Sequence, residues 1–201
     1  IVGPEAPLSE GIVDFFDRKN LPIFGPTKAA AQLESSKEFS KRFMEKHNIP
    51  TASYNLFSDA DLAHRHLSTC NNTPIVIKAD GLAAGKGVII ANNLEEAHMA
   101  VDMFLVEGRF GAAGRRIVIE EFIQGKEISY IVAVDGENFL PLASSRDHKR
   151  LLENDRGPNT GGMGAVSPAG ALLTDRLNEI ILDKVVSPTL SGLKKEGIVF
   201  K

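Results

Sequence analysis

Residues 76–91 read "VIKADGLAAGKGVIIA". A glycine-rich loop with a lysine invites comparison with a Walker phosphate loop, but the spacing is wrong. That loop needs four residues between its glycines, then Lys and a hydroxyl residue, and it opens a helix. Here Gly81 and Gly85 enclose three residues, and Gly87 stands where the hydroxyl belongs. β-Branched runs lie on both sides, Ile75 to Ile77 before the loop and Val88 to Ile90 after it, so the segment is read as a hairpin. No helix N-terminus follows to receive a phosphate. The strand–loop–helix order of a dinucleotide fingerprint is missing too. The hairpin carries two lysines, Lys78 and Lys86. Gly81, Gly85 and Gly87 are expected to permit positive φ and close approach to a ligand. Lys78 follows three apolar strand residues, so its ammonium is expected to point into a cleft. A phosphate there would balance a charge that is costly to bury alone.

Composition sets the frame. The chain has 201 residues, 43% hydrophobic and 24% charged, with a formal net charge of -3. That is enough chain for one or two domains with a proper core. The mild acidity argues against a nucleic-acid partner. Cys70 is the only cysteine, so no disulfide framework is expected and a reducing, cytoplasmic setting is the default. No apolar run has the length of a membrane span. The chain opens on "IVGPEAPL" without Met and closes on "EGIVFK", both inside apparent strands, so both ends are expected to be cut from something longer.

Outward from the hairpin, apolar periodicity predicts a helix near Ser9 to Lys19, another from Thr27 through Leu33, and a third capped by Ser35 or Ser36 through Lys46. "NIPTASY" is an extended connection. Ser58 with Asp61 predicts a capped helix through Leu67, and Asn93 with Glu96 a second, with Leu94, Ala97, Val101 and Leu105 as its core stripe. A strand "RIVIEEFI" follows, then a hairpin from "EISYIVAVDG" into "NFLPLASS". Residues 146–168 show no periodicity. Thr174 should cap a last helix, with Leu177, Ile180, Ile181 and Val185 inward and Pro188 kinking or ending it. Helices mixed with antiparallel strands indicate an α/β or α+β protein.

Two more stretches carry chemistry. In "VIEEFIQGKEISYI" two acids follow an apolar strand, so Glu120 and Glu121 could meet ribose hydroxyls or an exocyclic amine, with backbone groups for a purine edge. Irregular stretches as long as "SSRDHKRLLENDRGPNTGGMGAVSP" are uncommon inside compact domains. Its acids, bases and glycine backbone suit an anion or a developing negative charge. His64, His66 and His98 are read as exposed, without metal-ligand spacing. Cys70 is read as lacking a neighbouring base.

The segments "GPEAPL", "FGPTKAAAQLESSK", "IVIKADGLAAGKGVIIA", "IVIEEFIQGKEIS" and "DHKRLLENDRGPNTGGMGA", in this order, resemble the phosphoribosylamine–glycine ligases of the ATP-grasp superfamily. The resemblance spans nearly the whole chain. "DHKR" with "GPNTGGMGA" is its most specific part, whereas the hairpin is shared with other ATP-grasp enzymes. It implies an ATP-grasp fold with a small lid subdomain at about 51–118, residues 37–201 forming an incomplete ATP-grasp domain. Residues 1–36 would be the tail of an N-terminal Rossmann-like domain. It also implies ATP-dependent ligation of glycine to 5-phosphoribosylamine through glycyl phosphate, in purine biosynthesis. The rivals are another ATP-grasp carboxylate–amine ligase and a non-catalytic ATP-binding fragment.

By the same resemblance, Lys37, Lys78, Lys86 and the glycines Gly81, Gly85 and Gly87 would attend the ATP phosphates. Glu120, Glu121, Phe122 and Ile123 would hold adenine and ribose, and Glu127 would face the nucleotide. Asp147, His148 and Lys149, with Lys86, would be catalytic. Asn159, Thr160, Gly161, Gly162 and Met163 would line the acceptor site with Asp147, and Gly3, Pro4 and Glu5 would reach the phosphoribosylamine. The cofactors implied are ATP and Mg2+ or Mn2+. The metal ligands are expected beyond Lys201, and the family's opening glycine loop before residue 1. Without them this chain alone is expected to be inactive. The expected partners are small molecules, with no nucleic acid and no membrane, in a monomer or dimer.

Overall fold

The computed structural model describes residues 1–83, 87–154 and 156–200. Helix α2 (Ile12–Arg18) falls within the helix expected near Ser9 to Lys19, and a separate helix α1 (Glu5–Glu10) begins ahead of it. Gly11 separates them, taking φ 93, a left-handed conformation that ends one helix and starts the next. The opening stretch near Val2, expected as a strand, is not one; its Val2 N–H donates to the Phe24 carbonyl at 3.2 Å. Instead of a helix from Thr27 to Leu33, turns lead into the short α3 (Gln32–Ser35). Ser36 then caps α4 (Lys37–Lys46) by accepting from the Phe39 N–H.

The next unit is a four-stranded antiparallel sheet. Strand β1 (Tyr54–Phe57) leads into helix α5 (Ala60–Leu67). Its cap is Asp59, accepting from the Leu62 N–H at 2.8 Å, one residue beyond the expected Ser58. Strands β2 (Ile75–Ala79) and β3 (Val88–Ala91) form the expected hairpin. Helix α6 (Leu94–Val101) runs through one π-type turn at Asp102–Val106 into a 3-10 turn at Gly111–Gly114 and strand β4 (Ile117–Glu121). The Asn93 side chain accepts from the Glu96 N–H as expected. The Glu96 carboxylate reaches back one residue further, to the Asn92 N–H.

Strand order is β1-β4-β2-β3. One face takes Ile75, Ile77, Ala79, Ile117 and Ile119 against Ala63, Leu67, Ala97, Ala100, Val101 and Phe104 of α5, α6 and the turn after it. Each large side chain fully buried here, such as Leu67, Ile77, Phe104 or Ile117, contributes about 1.5–3 kcal/mol. Because successive side chains alternate across a strand, the other face receives Val76, Lys78, Val118, Glu120, Val88 and Ile90.

After β4, strands β5 (Val132–Val134) and β6 (Phe139–Pro141) form the second expected hairpin. The stretch without periodicity is organised after all. Strand β7 (Arg146–Asp147) pairs with β10 (Ala165–Val166), and β8 (Arg150–Leu152) with β9 (Arg156–Asn159). Pairings as short as these do not register as alternation.

Thr174 caps α7 (Asp175–Ile181) as expected, through the Leu177 N–H. Ile180 and Val185 are exposed, however, contrary to the inward stripe. The helix also passes Pro188 without ending. A π-type turn at Leu182–Val186 shifts the pairing so that the Ser187 N–H meets the Leu182 carbonyl, and Pro188 falls in the first turn of α8 (Ser187–Lys195). A missing N–H costs least there. Helix α8 packs on α4 through Leu193, Phe43 and Ile49, a second small core. The closing residues Ile198 and Phe200 pack against it without forming the expected strand. Among the described residues no helix is long and apolar enough to cross a membrane.

Candidate active site

The open face of the sheet is where the candidate residues meet. Glu120 of β4 lies opposite Val76 of β2, and Lys78 lies opposite Val118, so Lys78 and Glu120 are diagonal neighbours across the pair. They form an ion pair through Glu120 Oε1. Glu120 is buried at 7% exposure, while the Lys78 side chain keeps 28%. The pair lines a cavity of about 510 Å3, whose walls include Val76, Val88, Ile90, the run 120–127 and Arg146, Asp147, Lys149 and Arg150. That volume suits a small-molecule ligand. The apolar floor and the cationic flank suit a flat ring joined to an anion.

A second cavity, of about 330 Å3, shares the same ion pair and takes in Lys37, Lys41, Thr51 and Met44. Lys37 makes one long hydrogen bond, 3.5 Å to the Gly81 carbonyl. Burial holds its pKa below the ordinary lysine value, with Lys78 pushing the same way and Glu34, Asp80 and Glu120 opposing. An anion beside Lys37 would relieve that cost. Asp80 fixes α4 at this spot, accepting from Ser36 Oγ at 3.1 Å and the Glu38 N–H at 2.7 Å.

Downstream, the glycine run folds back on the "DHKR" strand. The Met163 N–H donates to the His148 carbonyl, the His148 N–H to the Gly164 carbonyl, and the Thr160 N–H to the Lys149 carbonyl. Gly162, at φ 125, passes so close to Asp147 that an added Cβ would sit 3.2 Å from Oδ1. Asp147, His148, Lys149 and Thr160–Met163 therefore form one cluster beside the larger cavity. Lys149 Nζ is bound to both oxygens of Glu127, at 3.0 and 3.1 Å. Phe122 and Ile123, more exposed than the apolar residues before them, lie along the same cavity.

Residues 35–201 match the ATP-grasp (A) domain of phosphoribosylglycinamide synthetase, and residues 1–34 match its N domain. The chain belongs to the phosphoribosylglycinamide synthetase family. Over 200 residues it is 57% identical to the phosphoribosylamine–glycine ligase of Ralstonia nicotianae, covering 100% of this chain and 47% of that protein. The corresponding protein of Neisseria meningitidis serogroup B is 58% identical over the same shares. The crystal structure of the Thermotoga maritima phosphoribosylamine–glycine ligase superposes with a TM-score of 0.82 at 38% identity, over 92% of this chain and 46% of that one. The chain thus spans about half the length of the relatives it matches, and its fold is the α/β ATP-grasp fold.

The structure bears on several of the residues expected to matter in this phosphoribosylglycinamide synthetase segment. Gly81 does not take a positive φ. The protein itself crowds both Gly81 and Gly87. A Cβ at Gly81 would lie 2.9 Å from Ala113 Cα, and one at Gly87 would lie 2.6 Å from Ala83 Cβ. Gly85 and Lys86 lie outside the described residues, as does the side chain of Asn159. Gly3, Pro4 and Glu5 are exposed at the start of α1 and line neither cavity. The Glu121 carboxylate is engaged by the Ser53 N–H at 3.0 Å, which lowers its pKa and ties β4 to the start of β1.

The three histidines are half-buried rather than exposed. His64 and His98 stack, with their Nδ1 atoms 2.6 Å apart, and His64 Nε2 meets Asp102 at 3.0 Å. Cys70 does have a neighbouring base, with His66 Nε2 3.8 Å from its sulfur one helical turn away. Lys41, which the sequence reading passed over, turns out to be buried beside Glu120.

Proposed function

We propose that this chain is the nucleotide-grasping part of a phosphoribosylamine–glycine ligase, joining glycine to 5-phosphoribosylamine with cleavage of ATP to ADP and phosphate. The observation that carries this is the Lys78–Glu120 pair facing a ligand-sized cavity beside the 147–163 cluster, in a chain 57% identical to ligases of that name. In this reading adenine and ribose lie along Glu120–Ile123 and Glu127, and the phosphates reach Lys78 and Lys37. The sheet unit at about 51–118 is the lid, with Gly81, Gly85, Lys86 and Gly87 in its loop. Residues 1–36 belong to the N-terminal substrate domain, where Gly3, Pro4 and Glu5 meet phosphoribosylamine.

The chemistry runs in two balanced steps. A carboxylate oxygen of glycine attacks the γ-phosphorus, and the bond to the ADP oxygen breaks. The amine nitrogen of phosphoribosylamine then attacks the carbonyl carbon of glycyl phosphate, losing a proton as phosphate leaves. Lysines and backbone amides suffice for the protein's share, since phosphoryl transfer needs positioning and countercharge more than covalent help. Asp147, His148, Lys149, Asn159 and Thr160–Met163 position glycine and the amine, and a closed lid keeps water from the acyl phosphate. ATP-grasp chemistry includes a divalent cation. Among the described residues no group of three or more His, Cys, Asp or Glu side chains is placed to hold one.

The test is stoichiometry. Full-length protein given ATP, glycine and phosphoribosylamine forms ADP, phosphate and the amide in equal amounts, and omitting either co-substrate stops the amide. ADP formed only with a different carboxylate would reassign the chain to another ATP-grasp ligase.

A further inference from the structure

Lys37 and Lys41 lie one turn apart on α4, so both side chains leave the same face of the helix. Both line the smaller cavity with Lys78 and Glu120, yet their surroundings differ. Lys41 is closed in. Its Nζ donates to Thr51 Oγ1 at 2.8 Å and the Ala52 carbonyl at 3.3 Å, and lies 5.4 Å from the centre of the Tyr54 ring. The same atom stands 2.6 Å from Glu120 Oε2. That oxygen is buried and accepts no hydrogen bond from the described residues, so the nearby charge of Lys41 balances it.

One buried carboxylate thus sits between two ammonium groups, Lys41 on Oε2 and Lys78 on Oε1. The pair of lysines exceeds the carboxylate by one charge. Whichever lysine leaves, the other still neutralises Glu120. Lys78 is the one that can leave, since its side chain is 28% exposed against 10% for Lys41. Resting on the ATP-binding reading above, we infer that Lys41 is a positioning residue: the fixed counter-ion of Glu120, which frees Lys78 to exchange that carboxylate for a phosphate. Without Lys41, an anion could take Lys78 only by leaving Glu120 buried and unpaired, which is strongly unfavourable.

The experiment is a double-mutant cycle read by calorimetric ATP binding to the full-length protein. Lys41→Met weakens ATP binding by about tenfold or more in the wild-type background. The same substitution added to Glu120→Gln changes affinity by less than about threefold, because no buried carboxylate is left to strand. Should Lys41→Met fail to fold, Lys41→Gln is read in its place in both backgrounds, with the loss again expected only where Glu120 is present. Wild-type affinity in Lys41→Met, or an equal loss in both backgrounds, overturns the inference while leaving the nucleotide site standing. Absence of ATP binding by the wild type overturns the nucleotide reading and this inference together.

Discussion

Lys78 owes its place to the pleat. Its neighbours Ile77 and Ala79 turn into the helix-covered core, which leaves the lysine on the open face two residues along from the partner of Glu120. Charge-assisted bonds to phosphate are worth about 1.5–3 kcal/mol each, so Lys78→Ala should weaken ATP binding by about ten- to a hundredfold with little change in melting temperature. Calorimetry beside a thermal scan checks both parts. Asp147→Asn should act differently, lowering turnover on the order of a hundredfold through lost positioning while ATP affinity holds; steady-state kinetics separate the two. Lys78 and Glu120 were legible in the sequence because each interrupts an apolar strand at the period-2 position. Lys41 was not, since a lysine four residues from another on a helix reads as a solvated face. Gly81 and Gly87 stand out in the sequence as loop glycines, but their crowding by Ala113 and Ala83 leaves no local trace there.

Helices α4 and α8 show how one element holds another that carries the site. Glu196 binds Lys46 at 2.9 Å and His47 at 2.7 Å. These bonds hold its carboxyl below the ordinary value of 4.5, Lys46 foremost. A depressed acid stabilises the fold above its unfolded pKa and loses that contribution as pH falls toward the folded value. Glu196→Gln should therefore cost up to about 1 kcal/mol at neutral pH, as befits a partly exposed pair. The deficit should close as the pH drops below 4.5. Urea titrations at several pH values measure it. Gly192 is the tighter contact, as a Cβ there would lie 2.8 Å from the His47 ring and from Phe43. Gly192→Ala should destabilise by about 1–3 kcal/mol, read by the same titrations. Capped helices such as α4 and α7 were legible because caps are local. The 146–166 ladders were not, because the β7–β10 partners lie 18 and 20 residues apart, the β8–β9 register shifts, and each pairing is too short to show alternation.

At the scale of the molecule, the antiparallel sheet with helices on one face presents its other face to the 147–163 cluster, and the larger cavity lies where they meet. The family was legible from "DHKR" and "GPNTGGMGA", which the fold folds back on each other. The depth of the Glu120 site was not, since it depends on α4 arriving from outside the sheet. We propose that ATP occupies this cavity, and hydrogen exchange with and without ATP is the measurement that decides it. Protection concentrated in residues 75–79, 88–91 and 120–127 is the predicted result. ATP-dependent protection confined to α1, α2 and α5, with those strands unchanged, would contradict it.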